Sequence, residues 1–341
     1  MKIAFTTALP REGFKRLEAY PFPSLKGRTF LVNRDEGWEE AEVLVSTFDY
    51  TVPREMIEAM PNLRLIANFG AGFNNIDLEA CRERGIRVTN TPQPVIEPTA
   101  ELAFALMIDI ARRVSEFDRM LRSHSNDKMS VALQLNDEPA VLNDVFGVMR
   151  NLSHSLYGKT LGILGMGRIG QALARRAIAS GMRVIYHNRK PLPTSPKGKE
   201  TSWQEEVINQ AEYVDFQTLL QNSDYLSLNL PYTPEVHHII GKPELGMMKR
   251  TAYLINTARG AHVDEQALIE ALQSGIIAGA ALDVYEHEPA IPSELLRLPN
   301  VVLSPHTGTG TWEGRIAMCE CVTDNILAFM DNNFNKMNIV L

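Results

Sequence analysis

A chain of 341 residues, 45% of them hydrophobic, is long enough for two packed cores, because single cores seldom grow past about 250–300 residues. The formal charge of -7 and pI near 5.7, with both signs mixed along the chain, exclude a basic footprint for nucleic acid and point to a small-molecule partner. Cys81, Cys319 and Cys321 suggest neither a disulfide framework nor metal-ligand spacing, which favours a reducing, cytoplasmic setting, and no stretch approaches the ~18 consecutive apolar residues of a membrane span.

Residues 2 to 100 alternate short β-branched runs with helical patterns. KIAFTT (2–7), EVLVST (42–47), LRLIANFG (63–70) and IRVTN (86–90) have strand length, and PREMIEAM and NIDLEACRERG lie among them. Such alternation predicts a parallel sheet with helical crossovers. From Thr99, the amphipathic run TAELAFALMIDIARRVSEFDRML predicts one helix of about six turns, with Thr99 as its N-cap and Glu101 in its first turn. Residues 123–158 are polar and irregular and read as an arm between domains.

A second series follows: TLGILG (160–165), MRVIYH (182–187), DYLSLNL (224–230), AYLINT (252–257), AGAALDV (278–284) and NVVLSP (300–305), with helical patterns such as QALARRAIASG and DEQALIEALQSG between several of them. PLPTSPKGKETS (191–202) reads as a solvent-exposed loop. The closing TWEGRIAMCECVTDNILAFM has a helical pattern, and its return to the first domain would make that domain discontinuous. The fold class is therefore α/β, with two Rossmann-like doubly wound parallel-sheet domains covering 1–100 with 307–341, and 101–306.

Gly165, Gly167 and Gly170 stand in G-x-G-x-x-G order between a predicted strand and a predicted helix, and a second strand ends just before Asn188. This is the context that separates a dinucleotide fingerprint from a chance match. Gly165 would make the tight turn, Gly167 would admit the pyrophosphate, and Gly170 would let helix and strand pack closely. Backbone N–H groups of Arg168 and Ile169 would meet the phosphates at the helix N-terminus.

The position that usually holds an acid for the adenosine ribose is Asn188, followed by Arg189 and Lys190. An amide forfeits most of the charge-assisted bonding to the ribose hydroxyls. A cation at about 4 Å attracts a 2′-phosphate by up to about 4 kcal/mol at an effective dielectric of 20, which desolvation and salt reduce to about 1–3 kcal/mol. NADP(H) is thus favoured over NAD(H), with Arg189 the better phosphate ligand for its planar fork. The alternative is that Arg189 and Lys190 are ordinary solvated charges.

Three later strands end in ionisable groups: Arg259 in INTARG, Glu288 in DVYEHEP and His306 in SPHTG. Ligands of open α/β sheets sit at the carboxyl ends of strands, so these groups could converge. Their chemistry suits reduction of a 2-oxo acid. Arg259 would grip the carboxylate and polarise the oxo group, His306 would pass a proton to the carbonyl oxygen, and Glu288 would hold the imidazole and favour its protonated form. The other histidines, including His237, His238 and His262, read as surface or loop residues without metal-ligand spacing, so no metal is expected.

GAGFNNID, VTNTP with PTAE, GILGMGRIGQALA, INTARG, DVYEHEP and SPHTG together resemble the D-2-hydroxyacid dehydrogenase family, in detail its glyoxylate/hydroxypyruvate reductase branch, from about Leu63 to the C-terminal helix. The resemblance implies a discontinuous flavodoxin-like substrate domain, a central Rossmann NAD(P) domain, a cleft between them and a homodimer. It carries the catalytic Arg, Glu and His onto Arg259, Glu288 and His306, and the substrate-carboxylate loop onto Ala71 and Gly72. It places Asp283 near the nicotinamide amide, and Leu230, Pro231, Thr257, Ala258, His306 and Gly308 among the cofactor contacts. Two departures stand out: the 123–158 arm is longer and lacks a Gly-Trp element, and TGTGTW follows His306, with Trp312 expected to pack rather than line the pocket. A dinucleotide-sensing corepressor-like protein, and a 3-phosphoglycerate or D-lactate dehydrogenase, are the alternative functions on the same scaffold.

Overall fold

The computed structural model describes residues 2–19, 30–32, 36–123, 152–194 and 202–341; most of the 123–158 arm and part of the 191–202 loop lie outside them. The chain divides into two compact units, Met1–Pro98 with Thr309–Leu341, and Thr99–Gly308.

In the first unit, strands β1 (Ile3–Phe5), β2 (Phe30–Val32), β3 (Val43–Thr47), β4 (Leu65–Phe69) and β5 (Arg87–Thr89) form a parallel sheet in the order β2-β1-β3-β4-β5. This is the flavodoxin-like doubly wound order. Every residue of β3 and β4 is buried, as expected of parallel strands covered on both faces. Leu44, Ile57, Met60, Ile66 and Val88 form the centre of one core cluster. The closing helix, Trp312–Met330, belongs to this unit. It lies so close to the N-terminal segment that a Cβ on Gly13 would come within 2.1 Å of the Cys319 Cβ, and the Thr323 hydroxyl donates to the Gly13 carbonyl at 3.0 Å.

The second unit holds β6 (Thr160–Leu164), β7 (Arg183–His187), β8 (Glu212–Tyr213), β9 (Tyr225–Leu228), β10 (Tyr253–Asn256), β11 (Gly279–Leu282) and β12 (Val301–Leu303), all parallel, in the order β12-β11-β10-β9-β6-β7-β8. The chain winds outward from β6 in both directions, so the sheet has a topological switch point there, where a ligand crevice forms beyond the strand ends. Leu226, Leu254, Leu268 and Ile277 anchor the core.

The expected architecture of two doubly wound parallel sheets is the one adopted, and all ten expected strands form. Two strands were not expected, β2 and β8. Both are edge strands of two or three residues, and β8 is exposed, so neither carries the apolar run that marks a buried strand. The single long helix expected from Thr99 is instead two, Ile96–Arg112 and Val114–Ser123, separated by Arg113 in the left-handed region at φ 56°. Thr99 is a buried residue inside the first helix, not its cap. The start falls earlier because Pro98 sits in the first turn, where a missing N–H costs nothing. The break arises because the Asp109 carboxylate accepts the Ser115 N–H at 2.7 Å, capping the second helix from within the first. Trp312 does not pack as expected; it is 64% exposed at the first position of its helix, where no preceding turn lies under its ring.

Candidate active site

The glycine turn follows β6. Gly165 has φ 99°, and a Cβ on it would come within 2.8 Å of the Asn229 carbonyl oxygen; a Cβ on Gly170 would come within 2.5 Å of the Gly165 carbonyl oxygen. Only glycine lets these backbones approach. Gly167 differs: a Cβ there meets nothing within 4 Å, and no side chain caps the Arg168–Ala179 helix that it opens. The first-turn N–H groups, including those of Arg168 and Ile169, therefore stand at a helix N-terminus suited to an anion. Just past the ends of β9 and β10, Asn229 Oδ1 and Thr257 Oγ1 are buried and, among the described residues, have no hydrogen-bond partner. Leu230 packs on the turn near Gly165, Pro231 is exposed, and Ala258 is half-buried. Open space, uncapped donors and unpartnered acceptors beside it fit the polar parts of a dinucleotide.

Asn188 has a further role that the strand pattern did not reveal. Its Oδ1 accepts the Met166 N–H at 2.8 Å, tying β7 to the glycine turn. Arg189 and Lys190 are exposed beyond it. The carboxyl of Glu235 is held below its ordinary range, first by the Thr233 hydroxyl and to a lesser degree by the charge of Arg189.

Arg259, Glu288 and His306 follow β10, β11 and β12. The His306 Nδ1 lies 2.7 Å from Glu288 Oε2, and Glu288 Oε1 accepts the Tyr285 N–H at 2.9 Å. Burial opposes ionisation of Glu288, but the bond to His306, the Tyr285 N–H and the charges of His306 and Arg259 outweigh it and hold the carboxyl below its ordinary range. Burial also lowers the Arg259 pKa, partly offset by Glu288. The loops are forced together at Gly260, where a Cβ would fall 1.9 Å from the Tyr285 carbonyl carbon. Any side chain there would push Arg259 away from the Glu288 loop.

Asp283, almost wholly buried, organises the His306 loop. Its carboxylate accepts the Ser304 hydroxyl at 2.6 Å and the Thr307 and Gly308 N–H groups at 2.8 Å each, while its carbonyl accepts the His306 N–H at 2.8 Å. These bonds hold His306 at φ 52°, a conformation that costs a non-glycine residue of order 1–3 kcal/mol unless its surroundings over-determine it.

Within the first unit, the loop after β4 has its carbonyls pinned from behind. Asn68 Nδ2 donates to the carbonyls of Gly70 (3.2 Å) and Gly72 (2.7 Å), the Thr91 N–H to Gly70 (3.0 Å), and Asn90 Nδ2 to Ala71 (2.8 Å). Among the described residues the N–H groups of Ala71 and Gly72 have no acceptor. Sequence reasoning missed a neighbour, Arg315, whose guanidinium lies 5.5 Å from the Phe48 ring centre and 5.6 Å from that of Phe69 and whose pKa burial lowers. The one available signal was a cation near the start of an apolar helix, where acids are preferred.

His262, expected at the surface or in a loop, is instead completely buried in the Gly260–His262 turn, and burial pushes its pKa down to about 4. A bridge between Ile240 and Val263 draws the turn into the fold, an effect of chain pairing that local polarity does not reveal.

A seven-stranded doubly wound sheet with a glycine turn at its switch point and an Arg, a Glu–His pair and a buried acid beyond three neighbouring strands defines a nucleotide-binding oxidoreductase unit. Residues 104–308 match the family model for the D-isomer specific 2-hydroxyacid dehydrogenase NAD binding domain. The chain is 43% identical over 334 residues to the glyoxylate reductase of Thermococcus litoralis, spanning 96% of this chain and 93% of that one. Among solved structures it resembles a glyoxylate reductase from Paecilomyes thermophila (TM-score 0.80, 32% identity, 100% and 98% of the two chains). It also resembles an NADPH-dependent glyoxylate/hydroxypyruvate reductase from Sinorhizobium meliloti bound to NADP and malonate (TM-score 0.76, 29% identity, 96% and 93%). The chain belongs to the D-2-hydroxyacid dehydrogenase family.

Proposed function

We propose that the protein reduces a small 2-oxo acid of the glyoxylate or hydroxypyruvate type to the 2-hydroxy acid, with NADPH preferred over NADH. The observation that carries this reading is the His306–Glu288 pair at 2.7 Å, with the desolvated Arg259 charge beside it. The dinucleotide, when bound, supplies the hydride. Arg259 holds the substrate carboxylate and polarises the oxo group. His306, held at Nδ1 by Glu288, gives a proton from Nε2 to the carbonyl oxygen. Ala71 and Gly72 offer further N–H groups to the carboxylate. Asp283 fixes the loop that carries His306 and Gly308. Gly165, Gly167, Arg168, Ile169 and Gly170 would hold the cofactor, with Leu230, Pro231, Thr257 and Ala258 as backbone or apolar contacts and Asn188, Arg189 and Lys190 at the adenosine ribose.

The reading extends to a cytoplasmic homodimer. The three free thiols suit a reducing compartment, and Ile108, Val114 and Leu152 expose apolar surface on the second unit.

Initial rates with glyoxylate, hydroxypyruvate, pyruvate and phenylpyruvate, each with NADH and NADPH, test the reaction; no oxidation of either nucleotide despite tight binding would favour a sensor. An Arg189→Ala variant should bind NADPH about tenfold to a hundredfold more weakly while NADH changes by less than about threefold. Equal losses for the two nucleotides would return Arg189 to the solvated surface.

A further inference from the structure

On the second unit, His237 and His238 follow the Pro234–Val236 turn, and Glu286 follows β11. Potential ligand atoms of these three side chains all lie within 4.8 Å of one another. His238 Nε2 is 2.6 Å from Glu286 Oε1, and the two imidazole rings stack with centroids 3.9 Å apart. The Tyr232 hydroxyl sits 3.3 Å from His237 Nδ1, in the position of an outer partner that fixes the ring and frees Nε2. The backbone is held on both sides: the His238 N–H donates to the Ala261 carbonyl at 2.9 Å and the Ile240 N–H to the His262 carbonyl at 3.0 Å. These bonds keep His238 in the left-handed region at φ 51°.

The surroundings are acidic. The Glu286 N–H donates to Glu265 Oε1 at 3.4 Å, which sets a second carboxylate beside the cluster. A cation there relieves the repulsion between the two. Two imidazoles and one carboxylate are the donors of a zinc-type ion rather than of magnesium or calcium, which require oxygen ligands.

We propose that His237, His238 and Glu286 form a binding site for a divalent transition-metal ion of the zinc class, with water completing the tetrahedron. Closing the ligand atoms onto one ion takes side-chain movements of about 1 Å, since Zn–N and Zn–O bonds are about 2.0–2.2 Å long. The ion takes the place of the His238–Glu286 contact and ties the loop before Glu288 to the turn after Pro234.

Calorimetric titration of the full chain with Zn²⁺ in a non-chelating buffer should find one equivalent bound at this site. The His237→Ala and Glu286→Gln variants should each bind about tenfold more weakly or worse, and the double variant should lose the site. Zn²⁺ should raise the melting temperature of the wild-type chain and not that of the double variant, because a ligand that binds only the folded state stabilises it. Co²⁺ should give the visible absorption of a tetrahedral site in the wild type alone. Circular dichroism of the variants in the absence of metal verifies their folding, and His237→Ala, which truncates an exposed ring, is the variant least able to disturb it. Unchanged Zn²⁺ affinity in the double variant, or no binding by the wild type at about 100 μM Zn²⁺, a weak limit for a site with three protein ligands, overturns the proposal.

Discussion

A His306→Gln variant is expected to lose about 10²–10⁴-fold in kcat, the range contributed by a positioned proton donor, while its affinity for NADPH stays within about threefold. Glutamine preserves length and can still donate to Glu288, so the carboxylate that the imidazole now satisfies is not abandoned in a half-buried place. The loop survives because Asp283 grips it through the Ser304 hydroxyl and the Thr307 and Gly308 N–H groups, none of which depends on the imidazole. What glutamine cannot do is surrender a proton near neutral pH. Steady-state rates alongside nucleotide titration by fluorescence separate the two effects. A kcat within about fivefold of wild type would remove the proton-transfer role from His306.

The second large effect concerns acid stability and centres on His262. Its folded pKa is about 4, against about 6.5 in an unfolded chain. As pH falls below about 6.5 the unfolded chain takes up a proton that the folded chain refuses, so stability declines until the pH reaches the folded pKa. At about 1.4 kcal/mol per pKa step, the contribution lost between neutral pH and about pH 4 approaches 3 kcal/mol. The causes are burial first and, among the charges, Arg259, which disfavours a second cation beside it. His262→Leu should therefore flatten the pH dependence of unfolding and make the variant more stable than wild type at pH ~4.5 by about 2 kcal/mol. The gain should shrink toward pH 7, where wild-type His262 is neutral in both states. Urea unfolding of both proteins across this pH range measures the difference directly, and the comparison cancels other titrating groups, Glu288 among them. Parallel curves would show that His262 titrates normally.

The sheets were readable because parallel strands buried on both faces leave apolar runs such as EVLVST and LRLIANFG, and the fingerprint was readable because Gly165 and Gly170 sit where backbones nearly touch and Gly167 opens the helix. Arg259, Glu288 and His306 were visible as candidates because each follows a predicted strand within a short loop. The remainder depends on contacts that sequence distance hides. Asp109 reaches along its helix to cap Ser115, a bond that no propensity scale reports. His262 is drawn inside by pairing around Ile240 and Val263, and Glu286 meets His238 across a separation of 48 residues. Edge strands β2 and β8 are too short to print a pattern at all.

The bond from the Met166 N–H to Asn188 Oδ1 has a consequence for how such proteins change allegiance between coenzymes. An aspartate offers the same oxygen at the same reach, so Asn188→Asp can keep the tether while adding the negative charge that favours a free ribose hydroxyl over a phosphate. On the proposed reading of Asn188 at the adenosine ribose, the tether and the choice of coenzyme are thereby carried by different atoms of one side chain. Asn188→Asp should therefore leave the unfolding free energy nearly unchanged while shifting the proposed preference toward NADH, as paired urea unfolding and nucleotide titrations would measure.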